Sequence, residues 1–297
     1  MSLVIVGSIA LDSIKTPFGE VEKALGGSAM YASLASSKFV KTQIVGVVGE
    51  DFPIEHIDLL KENDICCKGL KIVPGKTFHW KGVYNDLNKA ETLETHLNVF
   101  ADFNPELPPE YRKSRYVFLG NIDPVLQLRV LDQMENPGIT ACDTMNFWIS
   151  GKKEELMEVI KRVDILFINE DEIKMLTGEQ NVFSAAEIAC SYGPKYLIIK
   201  RGEYGSMAVS KNFLFFVPVY PLKKVIDPTG AGDCFAGGFM GYLANTDRYD
   251  QETIKNAMIY GTVTASFDVE SFSLEKIKGI DKDMIEIRKE EIKKSMK

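Results

Sequence analysis

The sequence predicts an α/β fold, with a three-layer αβα core around a mostly parallel sheet and a small β-sheet lid. Short apolar runs rich in Val and Ile recur along the chain, and stretches with helical periodicity separate them. Strands buried on both faces form continuous apolar runs, so this alternation favours a parallel sheet covered by helices on both sides. Residues 71–99 instead alternate apolar and polar side chains, which is typical of a half-exposed antiparallel sheet.

The apolar runs give the core strands in order. They lie at Leu3–Ile9, Ile44–Val48, Tyr116–Leu119, Ile139–Cys142, Ile165–Ile168 and Tyr196–Ile199. Helical patterns fall between them, for example at 154–160 and 185–189. The charged C-terminal stretch 281–297 also has a helical pattern, and we expect it to be a solvated surface helix or a frayed tail.

The lid is predicted to consist of residues 12–25 and 71–99. In the second segment Phe78, Trp80 and Tyr84 alternate with more polar residues, and the first segment is expected to supply further strands. A length of 297 residues suits one large domain with a small appendage. We therefore predict a single domain spanning residues 1–297.

Composition excludes several classes of partner. A net charge of −7 gives no electrostatic reason to bind nucleic acid or an anionic membrane, and no apolar run reaches the roughly 18 residues that span a bilayer. The five cysteines include no C-x-x-C pair, and the three histidines are scattered. These features predict a cytoplasmic protein without a zinc site.

The segment 225–242, VIDPTGAGDCFAGGFMGY, is the richest in chemistry. An apolar strand is predicted to end at Asp227, and a helical pattern starts near Gly232. The first N–H groups of a helix have no intrahelical partner and lie at the positive end of its dipole, so a glycine turn here predicts an anion pocket. A carboxylate repels phosphate, so Asp233 is interpreted as a general base facing an acceptor hydroxyl. The alternative is an ordinary glycine turn with Asp233 as a helix-start residue.

Two other phosphate-binding motifs are absent. The Walker A pattern does not occur, and the G-x-G-x-x-G pattern fails because Phe235 occupies its last glycine position. The string DPTGAGDCFAGGF instead resembles the C-terminal signature of the ribokinase-like, or PfkB, family of small-molecule kinases. Further motifs similar to those of this family follow the expected order over about residues 3–270: GSIALD at 7–12, LGGSA at 25–29, NEDE at 169–172 and KRGEYG at 200–205.

The resemblance implies a Rossmann-like, ribokinase-like core and an ATP-dependent kinase. Phosphoryl transfer needs positioning, a counter-charge and a base near the nucleophile. Asp233 is predicted to be the catalytic base, and the backbone N–H groups of Gly230, Ala231, Gly232 and Asp233 are predicted to hold the migrating phosphoryl group.

The resemblance also assigns the nucleotide side. Asn169 and Glu172 would position Mg²⁺ through water, although their spacing alone predicts a helix N-cap and capping box. Lys200 stands where Thr is common in the family, which leaves a direct phosphate contact there open. The predicted nucleotide-binding residues are Asn169, Lys200, Gly202, Gly205 and Thr229.

Two further expectations come from the family. Asp227 and Thr229 lie where some members bind a monovalent cation, so K⁺ is an open third cofactor beside ATP and Mg²⁺. Family members often dimerise through the lid sheet, so a homodimer of that kind is expected. Closure of the lid over the acceptor would exclude water.

The acceptor is less well defined. Its predicted contacts are Asp12, Gly26, Gly27, Tyr31, Asn121, Asp143 and Asn146. Asp12 and the two glycines follow from the family motifs, and the last three follow predicted strands, whose carboxyl ends bind ligands in open α/β sheets. Tyr31 stands where family sugar kinases carry Asn. It could either stack on a base or pack under the lid.

The combination of Tyr31 with the polar acceptor-side residues resembles a bacterial branch of nucleoside kinases. A nucleoside such as adenosine is therefore favoured over a free sugar such as fructose or ribose. A catalytically silent ligand-binding protein would have lost the base or the N-x-x-E motif, yet Asp233 and Glu172 are present. A nucleotide-dependent dehydrogenase would need a glycine fingerprint after the first strand, and residues 7–12 do not supply one.

Overall fold

The computed structural model describes residues 1–297. Its strands are β1 (Ser2–Val6), β2 (Ala10–Thr16), β3 (Gly19–Gly26), β4 (Lys41–Gly49), β5 (Ile65–Val73), β6 (His79–Asp86), β7 (Lys89–His96), β8 (Tyr116–Leu119), β9 (Ile139–Cys142), β10 (Ile165–Asn169), β11 (Tyr196–Lys200), β12 (Ser206–Ser210) and β13 (Phe213–Val217). Its α-helices are α1 (Ser28–Ser37), α2 (Ile54–Glu62), α3 (Pro124–Gln133), α4 (Asn146–Gly151), α5 (Lys153–Arg162), α6 (Glu170–Thr177), α7 (Val182–Cys190), α8 (Ala231–Thr246), α9 (Gln251–Asp268) and α10 (Lys282–Ser295).

The large sheet has nine strands in the order β13-β12-β11-β10-β9-β8-β1-β4-β5. All neighbours from β11 to β5 are parallel, and β12 and β13 continue the sheet as antiparallel strands. Because parallel strands share one carboxyl edge, the residues that follow β8, β9, β10 and β11 lie side by side. This edge is where open α/β sheets bind ligands.

Helices cover both faces of the large sheet, which confirms the predicted three layers. Helices α1, α8 and α9 pack in one apolar core, and α3, α5, α6 and α7 line the other. Helix α5 shows why these segments are helical. Its buried residues Leu156, Val159 and Ile160 repeat at helical spacing, with acidic residues in its first turn and basic residues in its last.

The small sheet, which we call the lid, has the strand order β3-β2-β6-β7. Strands β2 and β3 come from the first predicted segment and its flanks, and β6 and β7 come from the second. Residues 71–73 instead end β5 of the large sheet. The period-two pattern buries Gly82 and Tyr84 of β6, whereas every residue of β7 is exposed.

One local prediction was wrong. The segment 225–227 is not a strand, because Ile226 and Asp227 donate their N–H groups to the carbonyl of Val269 rather than to a strand partner. The C-terminal stretch forms the predicted surface helix, α10, which packs on the core through its buried residues Ile285 and Ile292. Among the helices there is none whose length and apolar character would let it cross a bilayer.

Candidate active site

The turn Asp227–Asp233, which we call the anion loop, leads into α8. Gly230 has φ +84°, in the left-handed region, and caps the helix. A Cβ atom on Gly230 would lie 2.3 Å from the ring of Tyr31, so only glycine fits. The N–H groups of Gly230, Gly232 and Asp233 make no hydrogen bond within the chain, whereas that of Ala231 donates to Pro228 at 3.3 Å. The loop therefore presents free donors at a helix N-terminus, which suits an anion.

Asp227 holds this loop in shape. It is fully buried, and its two oxygens accept the N–H groups of Thr229 at 2.9 Å and Ser273 at 3.2 Å. Ser273 Oγ in turn donates to the carbonyl of Leu25 at 2.5 Å. The carboxylate therefore links the loop to the end of β3 and to the chain after α9.

Asp233 projects from the first turn of α8 and is half-buried. No group in the chain donates a hydrogen bond to its carboxylate. Burial and the charge of Asp143 raise the pKa of Asp233 to about 7, while Lys200 opposes the shift. An unpaired carboxylate with this pKa suits a general base at neutral pH.

Asp143 is not free to bind the acceptor. It is 4% exposed, and its Oδ2 accepts a hydrogen bond from Lys200 Nζ at 2.5 Å. Its Oδ1 accepts the N–H of Thr144 at 2.9 Å. Each oxygen of Asp143 therefore already accepts one hydrogen bond within the chain, and the predicted acceptor contact at Asp143 stays a prediction.

Asn169 and Glu172 cap α6 reciprocally. Asn169 Oδ1 accepts the N–H of Glu172 at 2.8 Å, and Glu172 Oε2 accepts the N–H of Asn169 at 2.9 Å. The second oxygen of Glu172 has no hydrogen-bond partner in the chain, and burial raises the pKa of this carboxyl to about 7. A free, half-buried carboxylate oxygen fits a water ligand of Mg²⁺, so the cap and the metal role are compatible.

The lid contacts the anion loop and the turn after β11. Thr229 Oγ1 donates to the hydroxyl of Tyr84 at 3.1 Å, which joins β6 to the anion loop. At the tip between β6 and β7, Asn88 Nδ2 donates to Glu203 Oε1 at 3.4 Å, beside the turn that begins at Gly202 and ends at Gly205. These two hydrogen bonds join the lid to loops of the large domain.

Asp12 lies on β2, where the lid meets the core. Its side chain is 4% exposed and rests on Gly26, where a Cβ atom would come 2.0 Å from its Oδ2. Its Oδ1 is buried without a hydrogen-bond partner. Burial first, and then the charge of Asp227, raise the pKa of Asp12 to about 7. Gly26 therefore makes room for an unpaired carboxylate, which can accept a hydrogen bond from a hydroxyl group.

Three other predicted acceptor residues occupy different surroundings. Tyr31 is 1% exposed and packs beneath Gly230, so its ring is covered and cannot stack on a base in this structure. Asn121 Oδ1 accepts a hydrogen bond from Trp148 Nε1 at 3.0 Å. Asn146 is exposed at the first residue of α4. Asp12, beside Gly26 and Gly27, therefore has a free side-chain oxygen in this structure. The other three residues differ from it, because one ring is covered, one amide oxygen is hydrogen-bonded and one side chain is exposed.

Sequence reasoning missed two polar residues near the site. The only sequence signal for Tyr84 was its place in the alternating apolar and polar pattern of residues 71–99. Asp268 ends α9, is 1% exposed, and has no hydrogen-bond partner for either oxygen. Burial and the charge of Asp227 hold its pKa well above the usual range. No motif marks Asp268, because only packing of α9 against α8 places it near Cys234 and Tyr31.

Comparison with known proteins gives a consistent assignment. The sequence model of the pfkB family carbohydrate kinases matches residues 2–277. A cytidine kinase of Thermococcus kodakarensis is 32% identical over 249 residues, which cover 82% of this chain and 88% of that protein.

Two solved structures share the fold. The nucleoside kinase of Methanocaldococcus jannaschii, an archaeal member of the ribokinase family, has a TM-score of 0.79 at 23% identity, covering 98% of both chains. The aminoimidazole riboside kinase of Salmonella enterica, solved with aminoimidazole riboside and an ATP analogue, has a TM-score of 0.77 at 17% identity, covering 97% of this chain and 100% of that one.

Proposed function

This chain belongs to the pfkB family of carbohydrate kinases and is a phosphotransferase for a small sugar or nucleoside, and we propose that it transfers the γ-phosphoryl group of ATP to a nucleoside hydroxyl. One observation carries the mechanism. The unpaired carboxylate of Asp233 lies in the same helical turn as the free N–H groups of Gly230 and Gly232. Base and anion site are therefore adjacent, as an in-line transfer requires.

The proposed steps use groups of this chain. Asp233 accepts the proton of the acceptor hydroxyl as the hydroxyl oxygen attacks the γ-phosphorus of ATP, and the bond from that phosphorus to the β–γ bridging oxygen breaks to release ADP. The N–H groups of Gly230, Gly232 and Asp233 donate to the oxygens of the transferring group, where negative charge has to be stabilised. Asp12 accepts a hydrogen bond from a second hydroxyl and so orients the acceptor.

Glu172 and Asn169 are the residues that would hold Mg²⁺ through water. The ion, when bound, would neutralise charge on the nucleotide phosphates. The two oxygens of Asp227 accept backbone N–H groups in this structure, and a role for Asp227 in binding K⁺ stays a prediction. Dimerisation through the lid also stays a prediction.

A nucleoside acceptor is supported by the relatives. The similar proteins described above are named as kinases of cytidine, nucleosides and a riboside. The unpaired Oδ1 of Asp12 suits a sugar hydroxyl, which a nucleoside and a free sugar both present, so the preference for a nucleoside rests on the relatives. The covered ring of Tyr31, in contrast, gives no reason to favour adenosine over cytidine.

The proposal is tested by measuring ADP release from Mg-ATP with adenosine, cytidine, other nucleosides, ribose and fructose. We expect turnover with at least one nucleoside and the appearance of its monophosphate by mass spectrometry. Turnover confined to free sugars would replace the nucleoside with a sugar as acceptor. No turnover with any acceptor would contradict the proposed activity.

A further inference from the structure

Lys200 is the cation at the centre of a strongly acidic site. It ends β11 beside Asn169 of β10, and its side chain is only 19% exposed. Burial lowers the pKa of Lys200, but the charges of Asp143, Glu172 and Asp233 outweigh burial and raise it. The ammonium group is therefore held charged among three carboxylates.

The ammonium group also lies at the anion loop. A Cβ atom on Gly232 would come 3.1 Å from Lys200 Nζ and 3.6 Å from its Cδ. The N–H of Gly232 is one of the free donors of the loop. An anion held by that loop would therefore lie within reach of Nζ.

Other basic side chains near this edge pair with Asp123 or Glu170, whereas Lys200 pairs with Asp143. Lys152 contacts Asp123 at 2.6 Å, while Lys174 and Arg201 contact Glu170 at 2.7 and 2.6 Å. Among basic residues, Lys200 is the one whose charge acts on the carboxyl groups of both Asp233 and Glu172. Phosphoryl transfer needs a cation at the migrating group, and Lys200 is placed to supply it.

We propose that Lys200 is a catalytic residue whose ammonium group contacts the transferring phosphoryl group, and that Asp143 is its positioning residue. This inference rests on the proposed function. The acceptor oxygen forms a bond to the γ-phosphorus, the bond from that phosphorus to the β–γ bridging oxygen breaks with its electron pair going to ADP, and Asp233 takes the hydroxyl proton. Lys200 Nζ meanwhile leaves Asp143 for a non-bridging oxygen of the moving group and offsets its charge.

The test has to separate this role from simple neutralisation of Asp143. Lys200→Met alone would leave a buried carboxylate unpaired and could unfold the site. The decisive variant is therefore the double substitution Lys200→Met with Asp143→Asn, which removes both charges together. Asp143→Asn alone keeps the ammonium group, and Lys174→Met serves as a matched charge control away from the anion loop.

We expect the double variant to lose about 100-fold or more in kcat while keeping the thermal midpoint of the wild type. Asp143→Asn should lose less than about tenfold, because Lys200 can still reach the phosphoryl group. Lys174→Met should stay within about twofold of the wild type. A double variant with kcat within about threefold of the wild type would overturn the proposal, since Lys200 would then serve only to neutralise Asp143.

A second readout keeps this inference separate from the proposed function. Binding of a non-hydrolysable ATP analogue with Mg²⁺ is measured by calorimetry for the wild type and the double variant. If the wild type phosphorylates no nucleoside, the acceptor assignment fails. Weaker analogue binding by the double variant would still support the phosphate contact of Lys200, and unchanged binding would contradict it.

Discussion

The proposed phosphate side and the proposed acceptor side of this site are built differently. On the phosphate side, one contiguous loop, Asp227–Asp233, supplies free backbone donors and the proposed base. On the acceptor side, Asp12 comes from β2 and rests on Gly26 at the end of β3. Backbone donors need only a local turn, whereas side-chain recognition depends on which groups the fold leaves unpaired. The first side is therefore rigidly specified, and the second can change with few substitutions.

Replacing the proposed base should have the largest effect. Asp233→Asn removes the proton acceptor but keeps the size of the side chain and the loop N–H groups. We expect kcat to fall about 1000-fold, within the usual range for general base catalysis, while the affinity for Mg-ATP changes less than about threefold. Steady-state kinetics and calorimetry measure the two quantities. Near-wild-type turnover would show that the base lies elsewhere.

Disturbing the loop backbone should have the next largest effect. Gly230→Ala places a Cβ atom 2.3 Å from the Tyr31 ring at φ +84°, and the left-handed conformation itself costs about 1–2 kcal/mol. We expect a loss of about 100-fold in kcat, since a displacement of about 1 Å in catalytic groups has effects of this size. Gly151→Ala is the matched control, because a Cβ atom there meets nothing within 4 Å. If Gly230→Ala and Gly151→Ala had equal kcat values, the conformation of the anion loop would not matter for catalysis, which would contradict this account.

The acceptor side should respond more weakly and selectively. Asp12→Asn should lower kcat/KM for the nucleoside about 10- to 100-fold, the size expected for a hydrogen bond to a charged group, and leave KM for ATP unchanged. An equal loss of kcat/KM for the nucleoside and for ATP would place Asp12 outside the acceptor site.

The same variant should change stability in a pH-dependent way. The pKa of Asp12 in the folded protein, about 7, lies above its ordinary value of 3.8, so the folded protein binds more protons than the unfolded chain between about pH 4 and pH 7. The contribution of Asp12 to stability therefore falls as pH rises from about 4 to about 7 and stays low above pH 7. We expect Asp12→Asn to melt at a higher temperature than the wild type at pH 8, with the difference shrinking toward pH 4. A lower melting temperature at pH 8 would contradict an unpaired carboxylate.

The smallest effect is expected at Tyr31. Its hydroxyl is buried without a hydrogen-bond partner, so Tyr31→Phe should be neutral or slightly stabilising and should leave KM for the nucleoside within about twofold. Thermal melting measures the stability, and steady-state kinetics measure KM for the nucleoside. A tenfold rise in KM would show that the hydroxyl of Tyr31 reaches the acceptor.

What the sequence could predict follows the same division. The core strands β8 and β9 were predicted with their observed bounds, because buried strands are continuous apolar runs. Strand β5 was missed because it lies at an edge of the sheet and mixes apolar with polar residues. The antiparallel strands β12 and β13 were missed as well.

The anion loop was predicted as a pocket because its residues are contiguous, although the strand expected before it does not form. The pair of Asp143 and Lys200 could not be predicted, since the two residues are 57 positions apart and meet only when β9, β10 and β11 align. Contiguous motifs therefore indicated the chemistry, while pairing across strands decided which side chains remain available.

The pH dependence of kcat/KM for the accepted nucleoside tests the central claim most directly. Asp233, with a pKa of about 7, must be deprotonated to accept the hydroxyl proton, so the rate should fall about tenfold per unit below pH 7. The residual activity of Asp233→Asn should show a shallower acidic limb, since only Asp12 and Glu172, whose pKa values are also about 7, still contribute to it. A wild-type profile that stays flat between pH 5 and 8, or an unchanged limb in the variant, would contradict Asp233 as the base.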